Sequence, residues 1–211
     1  MNFLPKEIEE YSLLLSEPES KLLSKLNRET WSKVMIPRMI SGHIQGRILS
    51  MISKMIEPKN ILEIGTYTGY SALCLAEGLK KNGELHTIEI NEEVIDFAEN
   101  YLNKSEFKNQ IKQHIGNAID ILPTINKEFQ LIFIDADKEN YSNYFDLTFE
   151  KLSVGGYIIA DNVLWSGKVI REEKDSETKA IDNFNKKVKK DKRVDNFILP
   201  IRDGLMICRK L

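Results

Sequence analysis

Hydrophobic and polar positions recur along this chain on two different periods. From residue 60 onward, short apolar runs fall near 60–64, 84–90, 110–115, 129–134 and 156–160. Helical spacing fills the intervals at 69–80, 91–103, 117–122 and 139–151. Short apolar runs bounded by turn residues predict strands, and their alternation with helices predicts right-handed crossovers and a largely parallel sheet. Asn91 with Glu92 and Glu93 marks one helix start, because an Asn cap and early acids suit the helix dipole. A charged helix around 176–190 precedes two more apolar runs, 194–200 and 205–209, separated by Asp203-Gly204. That layout predicts an antiparallel hairpin at the sheet edge.

Residues 1–58 read as a helical layer packed on this sheet. Ser16-Glu17-Pro18-Glu19 has the form of a capping box, followed by Leu22, Leu23 and Leu26 at helical spacing. Pro37 interrupts the pattern. Ser41 then caps a helix carrying Ile44, Ile48, Ile52 and Met55 on one stripe and ending near Pro58. The stretch Arg38-Met39-Ile40-Ser41-Gly42 lies just before that helix, where it is placed to form a lid. No repeat, low-complexity tract or linker divides the chain, so 1–211 is expected to form one domain with the 1–58 layer inside it.

Composition narrows the class. The chain has 42% hydrophobic and 29% charged residues and a formal net charge of -2, ordinary for a globular protein and without a global field for nucleic acid or anionic lipid. No apolar run approaches the roughly 20 residues a membrane span needs, and no signal-peptide pattern opens the sequence. A cytoplasmic protein without membrane association is expected. Cys74 and Cys208 sit in apolar segments and read as reduced core residues. His43, His86 and His114 show no metal-ligand spacing and read as structural, and the lysine-rich run 186–192 reads as a solvated helix face.

The chemistry gathers around Ile61-Leu-Glu63-Ile-Gly65-Thr66-Tyr-Thr-Gly69-Tyr-Ser71. This is a strand, a tight loop and a helix start, the arrangement in which a doubly wound sheet holds a nucleotide-like cofactor, with glycines where backbone must approach closely. Glu89 ends the next apolar run, twenty residues after Gly69, where a carboxylate can accept from both ribose hydroxyls. Glu63 would repel a pyrophosphate but suits a ligand bearing an amine or a cation. S-adenosylmethionine has a ribose, an amino group and a sulfonium and no phosphate, so the loop favours it over NAD.

Two further clusters stand at strand ends, Phe133-Ile-Asp135-Ala-Asp137-Lys138 and Ile159-Ala-Asp161-Asn162. Asp135, Asp161 and Asn162 supply oxygen only, which favours Mg²⁺, with Mn²⁺ or Ca²⁺ as alternatives. Asp161 and Asn162 can share an ion only if their strand has already ended. On spacing alone the pair reads equally well as turn residues satisfying loop backbone groups. Lys138, three residues past Asp135, would have a depressed proton affinity beside a cation and in a buried place, making it a candidate general base. The competing reading is a surface lysine at a helix start.

These blocks, in this order, resemble the metal-dependent class I O-methyltransferases that include caffeoyl-CoA and catechol O-methyltransferases. The matching motifs are Glu63–Ser71, Ile88-Glu89, Phe133–Tyr141 and Asp161-Asn-Val-Leu-Trp165, and the resemblance covers about 30–211. It implies a Rossmann-like doubly wound, mostly parallel seven-stranded α/β sheet with N-terminal helices and a homodimer. It also implies cofactor contacts from Ser41, Glu63, Gly65, Thr66, Ser71, Glu89, Ala118 on the adenine side, Asp135 and Asp137. Asp135, Asp161 and Asn162 become the metal ligands and Lys138 the catalytic base. The segment Trp165-Ser-Gly-Lys168-Val169 is only partly alike, which leaves an acyl-CoA acceptor without support.

The expected activity is S-adenosylmethionine- and divalent-metal-dependent methylation of a catechol-like or vicinal dioxygen small molecule. One alternative keeps the chemistry and changes the acceptor to 5-hydroxyuridine in tRNA, which needs a basic rim from Arg38, Arg47, Lys168 and Arg171. A dehydrogenase is disfavoured by Glu63, and a non-catalytic binding module by the intact blocks.

Overall fold

The structure is a computed structural model and describes residues 5–211, so the first four residues of the expected 1–58 layer lie outside it. Three helices come first: α1 (Lys6–Leu14), α2 (Lys21–Lys33) and α3 (Gly42–Ile56). The alternating part follows as β1 (Asn60–Ile64), α4 (Tyr70–Ala76), β2 (Glu84–Glu89), α5 (Glu92–Leu102), β3 (Ile111–Ile115), α6 (Ala118–Ile121), β4 (Phe129–Ile134), α7 (Tyr141–Phe149) and β5 (Leu152–Ala160). Then come α8 (Ser176–Lys190), β6 (Val194–Leu199) and β7 (Leu205–Lys210).

The seven strands lie in the order β3-β2-β1-β4-β5-β7-β6. Strands β3 to β5 are mutually parallel, and β7 alone runs against the rest, paired antiparallel with β5 on one side and β6 on the other. The expected mixed sheet and terminal hairpin are both present. From β1 the chain builds outward through β2 to β3, then returns to place β4 on the other side of β1. The carboxyl ends of β1 and β4 therefore flank the switch point, where open sheets of this kind bind ligands. Both faces are covered: one core includes Leu62, Ile132, Phe145 and Phe184, the other Leu49, Leu75, Leu131 and Phe133.

Several local expectations shift. The cap of α2 is Ser20, which accepts from Leu23 N at 3.2 Å, and not Ser16. α4 ends at Ala76, and β5 begins at Leu152, earlier than the run at 156–160, because Gly155 and Gly156 mask its first half. Ser41 occupies the cap position of α3 but its side chain makes no capping bond. The face of α3 that packs inward is Gln45, Gly46, Leu49, Ser50 and Ser53, while the Ile44, Ile48 and Ile52 stripe is only half-buried and Met55 is 71% exposed. Close packing selects this face. A Cβ on Gly46 would lie 2.7 Å from the Tyr70 ring and 2.8 Å from Cys74 Sγ, so small residues win over large apolar ones. Cys74 and Cys208 are buried free thiols, as expected. No helix among the described residues is long and apolar enough to cross a membrane.

Candidate functional site

The sheet sets the chemistry in a row. Each strand's successor is pinned to its neighbour's last carbonyls: Gly65 N donates to Ile88 O (2.9 Å), Asp135 N to Ile64 O (2.9 Å) and Asp161 N to Ile134 O (2.9 Å). Thus Glu89, Gly65, Asp135 and Asp161 stand at consecutive tips, although 72 positions separate Glu89 from Asp161 in the sequence. Gly65 has a φ of 99°, and a Cβ there would fall 1.9 Å from the Asp135 carbonyl oxygen. The expectation that it clears space for a ligand is therefore incomplete, since its first constraint is the neighbouring strand tip.

Glu63 is fully buried in the middle of this row. Thr87 Oγ1 donates to its Oε2 at 2.5 Å, and because that proton is committed, Thr66 Oγ1 must donate to Thr87 Oγ1, also 2.5 Å away. Oε1 has no hydrogen-bond partner among the described residues. Burial pushes the Glu63 carboxyl up to about 8, against the Ser71 and Thr87 hydroxyls and with help from the charges of Asp135 and Glu89. A buried acid with one oxygen left without a close partner is suited to a cationic or amine-bearing ligand. Glu89 accepts from the backbone amides of Tyr67 (2.6 Å), Ile90 (3.0 Å) and Asn91 (2.8 Å), which fixes the carboxylate at the loop's edge. Ser41, Thr66, Ser71 and Ala118 are buried, each at an element end or within a strand-to-helix turn.

Asp137 follows Asp135 at the tip of β4. Its side chain is exposed and accepts from Tyr144 Oη at 2.5 Å and Asn140 Nδ2 at 2.6 Å, a local bracing of the start of α7.

The second cluster lies at the tips of β4 and β5. The strand does end at Ala160, and Asn162 turns the backbone with a φ of 58°, which meets the condition for Asp161 and Asn162 to face one place. Asp161 is 4% exposed; Gln45 Nε2 donates to its Oδ2 (2.6 Å) and Asn162 N to its Oδ1 (2.7 Å). Burial and then the charge of Asp135 push Asp161 up to about 7, opposed by Gln45, Lys138 and the Asn162 amide. Among the described residues no three His, Cys, Asp or Glu side chains gather as a metal cluster, so the candidate set is two acids plus the Asn162 amide oxygen. Two neighbouring acids and an amide, with oxygen donors only, fit a hard divalent cation.

Lys138 lies inside this cluster. Its Nζ donates to Asp135 Oδ1 (3.0 Å) and Tyr141 Oη (2.7 Å), and lies 4.8 Å from the Tyr141 ring centroid and 5.9 Å from that of Trp165. Burial lowers its proton affinity as anticipated, but Tyr141, Asp135 and Asp161 outweigh it and hold the ammonium above the ordinary lysine range. It is not a surface lysine: its side chain is 10% exposed.

Gln45, Thr87 and Tyr141 are parts of the site that spacing did not single out. Tyr141 stands one turn after Lys138, a spacing that signals a shared face. Gln45 is an amide on a stripe otherwise made of small and apolar residues, which is a weak signal for a buried partner. The basic rim required for a tRNA acceptor is not assembled. Arg47 is turned onto α4 and paired with Glu77 at 2.6 Å, Lys168 is 3.2 Å from Asp175, and Arg38 and Arg171 are exposed on separate segments.

Comparison with known proteins adds an independent line. The family model described as O-methyltransferase matches residues 13–211. The caffeoyl-CoA O-methyltransferase 1 of Eucalyptus globulus is 33% identical, over 99% of this chain and 88% of that protein. The caffeoyl-CoA O-methyltransferase 5 of Nicotiana tabacum is 32% identical, over 96% of this chain and 88% of that protein. Among solved structures, an SAH-bound methyltransferase of Podospora anserina superposes with a TM-score of 0.91 at 28% identity, covering 100% of this chain and 99% of that one. An O-methyltransferase of Streptomyces achromogenes involved in tomaymycin synthesis, solved in complex with SAM, gives 0.90 at 26% identity, covering 97% and 96%.

Proposed function

This chain belongs to the O-methyltransferase family, and on that premise we propose that it moves the methyl group of S-adenosylmethionine onto one oxygen of a catechol-like small molecule. The observation that carries the reading is the juxtaposition of Asp135, Lys138 and Asp161 beside the Gly65 loop. The donor would lie across the tips of β1 and β2. Glu89 would receive the ribose hydroxyls, Gly65 and Thr66 would pass under the methionyl part, and Ser41, Ser71 and Ala118 would close around it. Glu63, with its unpartnered Oε1, supports a donor that carries an amine.

Asp135, Asp161 and Asn162 would hold a divalent cation, Mg²⁺ in the first instance. When bound, such an ion lowers the pKa of a chelated hydroxyl and stabilises the oxyanion. Lys138 Nζ is the proton-handling group of the site. Asp135 and Tyr141 hold Nζ in place, where Lys138 would take the proton that the acceptor hydroxyl loses. The resulting oxygen attacks the methyl carbon in line as the carbon–sulfur bond breaks and the sulfonium becomes a thioether. Trp165, its ring centroid 5.9 Å from Nζ, would form one wall of the acceptor pocket. The chain's main contribution is alignment of donor and acceptor to about 3 Å.

A methyl-transfer assay with S-adenosylmethionine and catechol, with and without Mg²⁺, tests this. Turnover is expected to need the ion and to be lost in Asp161→Ala; turnover unchanged by both the substitution and a chelator would reject the metal role. We also place the expected homodimer contact on the half-exposed stripe of α3, Ile44, Ile48, Ile52 and Met55, where a second copy would cover apolar surface. Light scattering of wild type and Ile48→Glu checks it: a monomeric wild type would remove the contact.

A further inference from the structure

The antiparallel end of the sheet brings a cation to the acceptor side of the site. β7 pairs Met206 with Ala160, so the turn before β7 lies beside the tip where Asp161 and Asn162 stand. That turn is tied to the loop after Asn162: Val163 N donates to Gly204 O (3.1 Å), Leu164 N to Asp203 O (2.9 Å) and Ser166 N to Asp203 Oδ1 (2.5 Å). Arg202 begins it with a φ of 50°, a left-handed conformation uncommon for a residue other than glycine. Its Nη1 and Nη2 both reach the Ile40 carbonyl at 3.3 Å, and Nη1 lies 3.3 Å from where a Cβ on Gly42 would be. Ile40 directly precedes Ser41, and Gln45, one turn into α3, bonds Asp161.

The guanidinium thus bridges the start of α3 and the loop after the acidic tips. It is half-buried and meets only a neutral carbonyl among the described residues; Asp203, the adjacent acid, has one oxygen turned to Ser166. A partly desolvated guanidinium with one carbonyl partner retains free N–H donors in a planar fork, the geometry that takes a carboxylate or phosphate in two parallel bonds. Incomplete pairing and position point the same way.

We propose that Arg202 is a specificity-determining residue of the acceptor pocket, receiving an anionic group carried by the acceptor apart from the two oxygens at the acidic tips. This rests on the O-methyltransferase reading above. A carboxylate on the methyl donor is the other source of the same chemistry, and the test separates the two.

The probes are catechol and 3,4-dihydroxybenzoate, with SAH affinity measured by calorimetry on the full chain. Arg202→Gly removes the fork and suits the φ of 50°, so it is expected to keep the fold. Arg202→Lys keeps the charge without the fork. In wild type, kcat/KM favours 3,4-dihydroxybenzoate; in Arg202→Gly the ratio falls about tenfold or more, mainly through KM. Arg202→Lys recovers part of it. A ratio that stays within about twofold of wild type overturns the proposal, as does a loss confined to SAH affinity. Wild type that methylates neither acceptor would instead overturn the reading on which the proposal stands, and a measurable ratio distinguishes the two failures.

Discussion

Gln45 Nε2 donates to Asp161 Oδ2 at 2.6 Å, joining α3 to the tip of β5 across 116 positions of sequence. Both groups are buried, so the bond sets the orientation of the carboxylate without competition from water. Replacing Gln45 by Leu leaves a buried acid short of a donor. Stability is expected to fall by about 1.5–3 kcal/mol in urea unfolding, and methyl transfer to fall with it. Equal unfolding midpoints for variant and wild type would show that the contact carries no weight.

Gly65→Ala is expected to be among the most damaging single changes. Its Cβ would meet the Asp135 carbonyl oxygen at 1.9 Å, and the φ of 99° is hostile to any side chain. The two tips must separate, at a cost of roughly 3 kcal/mol or more. Thermal unfolding reports the loss, and SAH binding should disappear in any folded fraction. A variant that binds SAH like wild type contradicts the close packing of these tips.

Glu63 makes stability depend on pH in the direction opposite to most acids. Its folded pKa, about 8, lies above the unfolded value, so the native chain binds more protons between about pH 4.5 and 8 and loses stability as pH rises through that window. Glu63→Gln removes that slope. Binding of a donor bearing an ammonium favours the charged form, so SAH affinity should increase from pH 6 to 8 in wild type and stay flat in the variant. Calorimetric titration at three pH values decides it; parallel profiles would place the ligand's amine elsewhere.

Glu77 gives the contrasting case. Burial pushes it up, but hydrogen bonds from Arg47, Lys54 and Ser50 and the charge of Arg47 prevail and hold it at about 2. Its folded pKa is below the unfolded one, so its contribution is present above about pH 4.5 and is lost as pH falls toward 2. After allowance for solvent screening that contribution is about 1–2 kcal/mol. Glu77→Gln should be less stable than wild type at pH 7 and indistinguishable near pH 2 by denaturant titration. A gap that persists at pH 2 would assign the loss to packing.

The strands and the position of the two chemical loops were legible in the sequence because both depend on neighbours only a few residues apart. Glu63, Gly65, Asp135 and Asp161 stand at strand ends where alternating patterning stops, and that signal is local. What spacing could not convey depends on sheet order. Whether Gln45 reaches Asp161, or Arg202 reaches Ile40, follows from β4 and β7 being inserted where they are, and no periodicity encodes it. The inward face of α3 is not its apolar stripe, because apolar spacing ranks residues by hydrophobicity, whereas the contact with Tyr70 and Cys74 is decided by size. Lys138 is a different case. Burial lowers a lysine's proton affinity as a rule, and the rule yields where two acids and a tyrosine surround the ammonium.

Because Asp135 and Asp161 are each fastened by their own amide to the previous strand's final carbonyl, the proposed reacting centre inherits its rigidity from the ladder. Acceptor range and chemical competence are therefore separable traits in this scaffold. Grafting foreign sequence into 167–174 or 36–39 should redirect which molecules are accepted while the reaction itself survives, making these two segments the natural place to diversify a library.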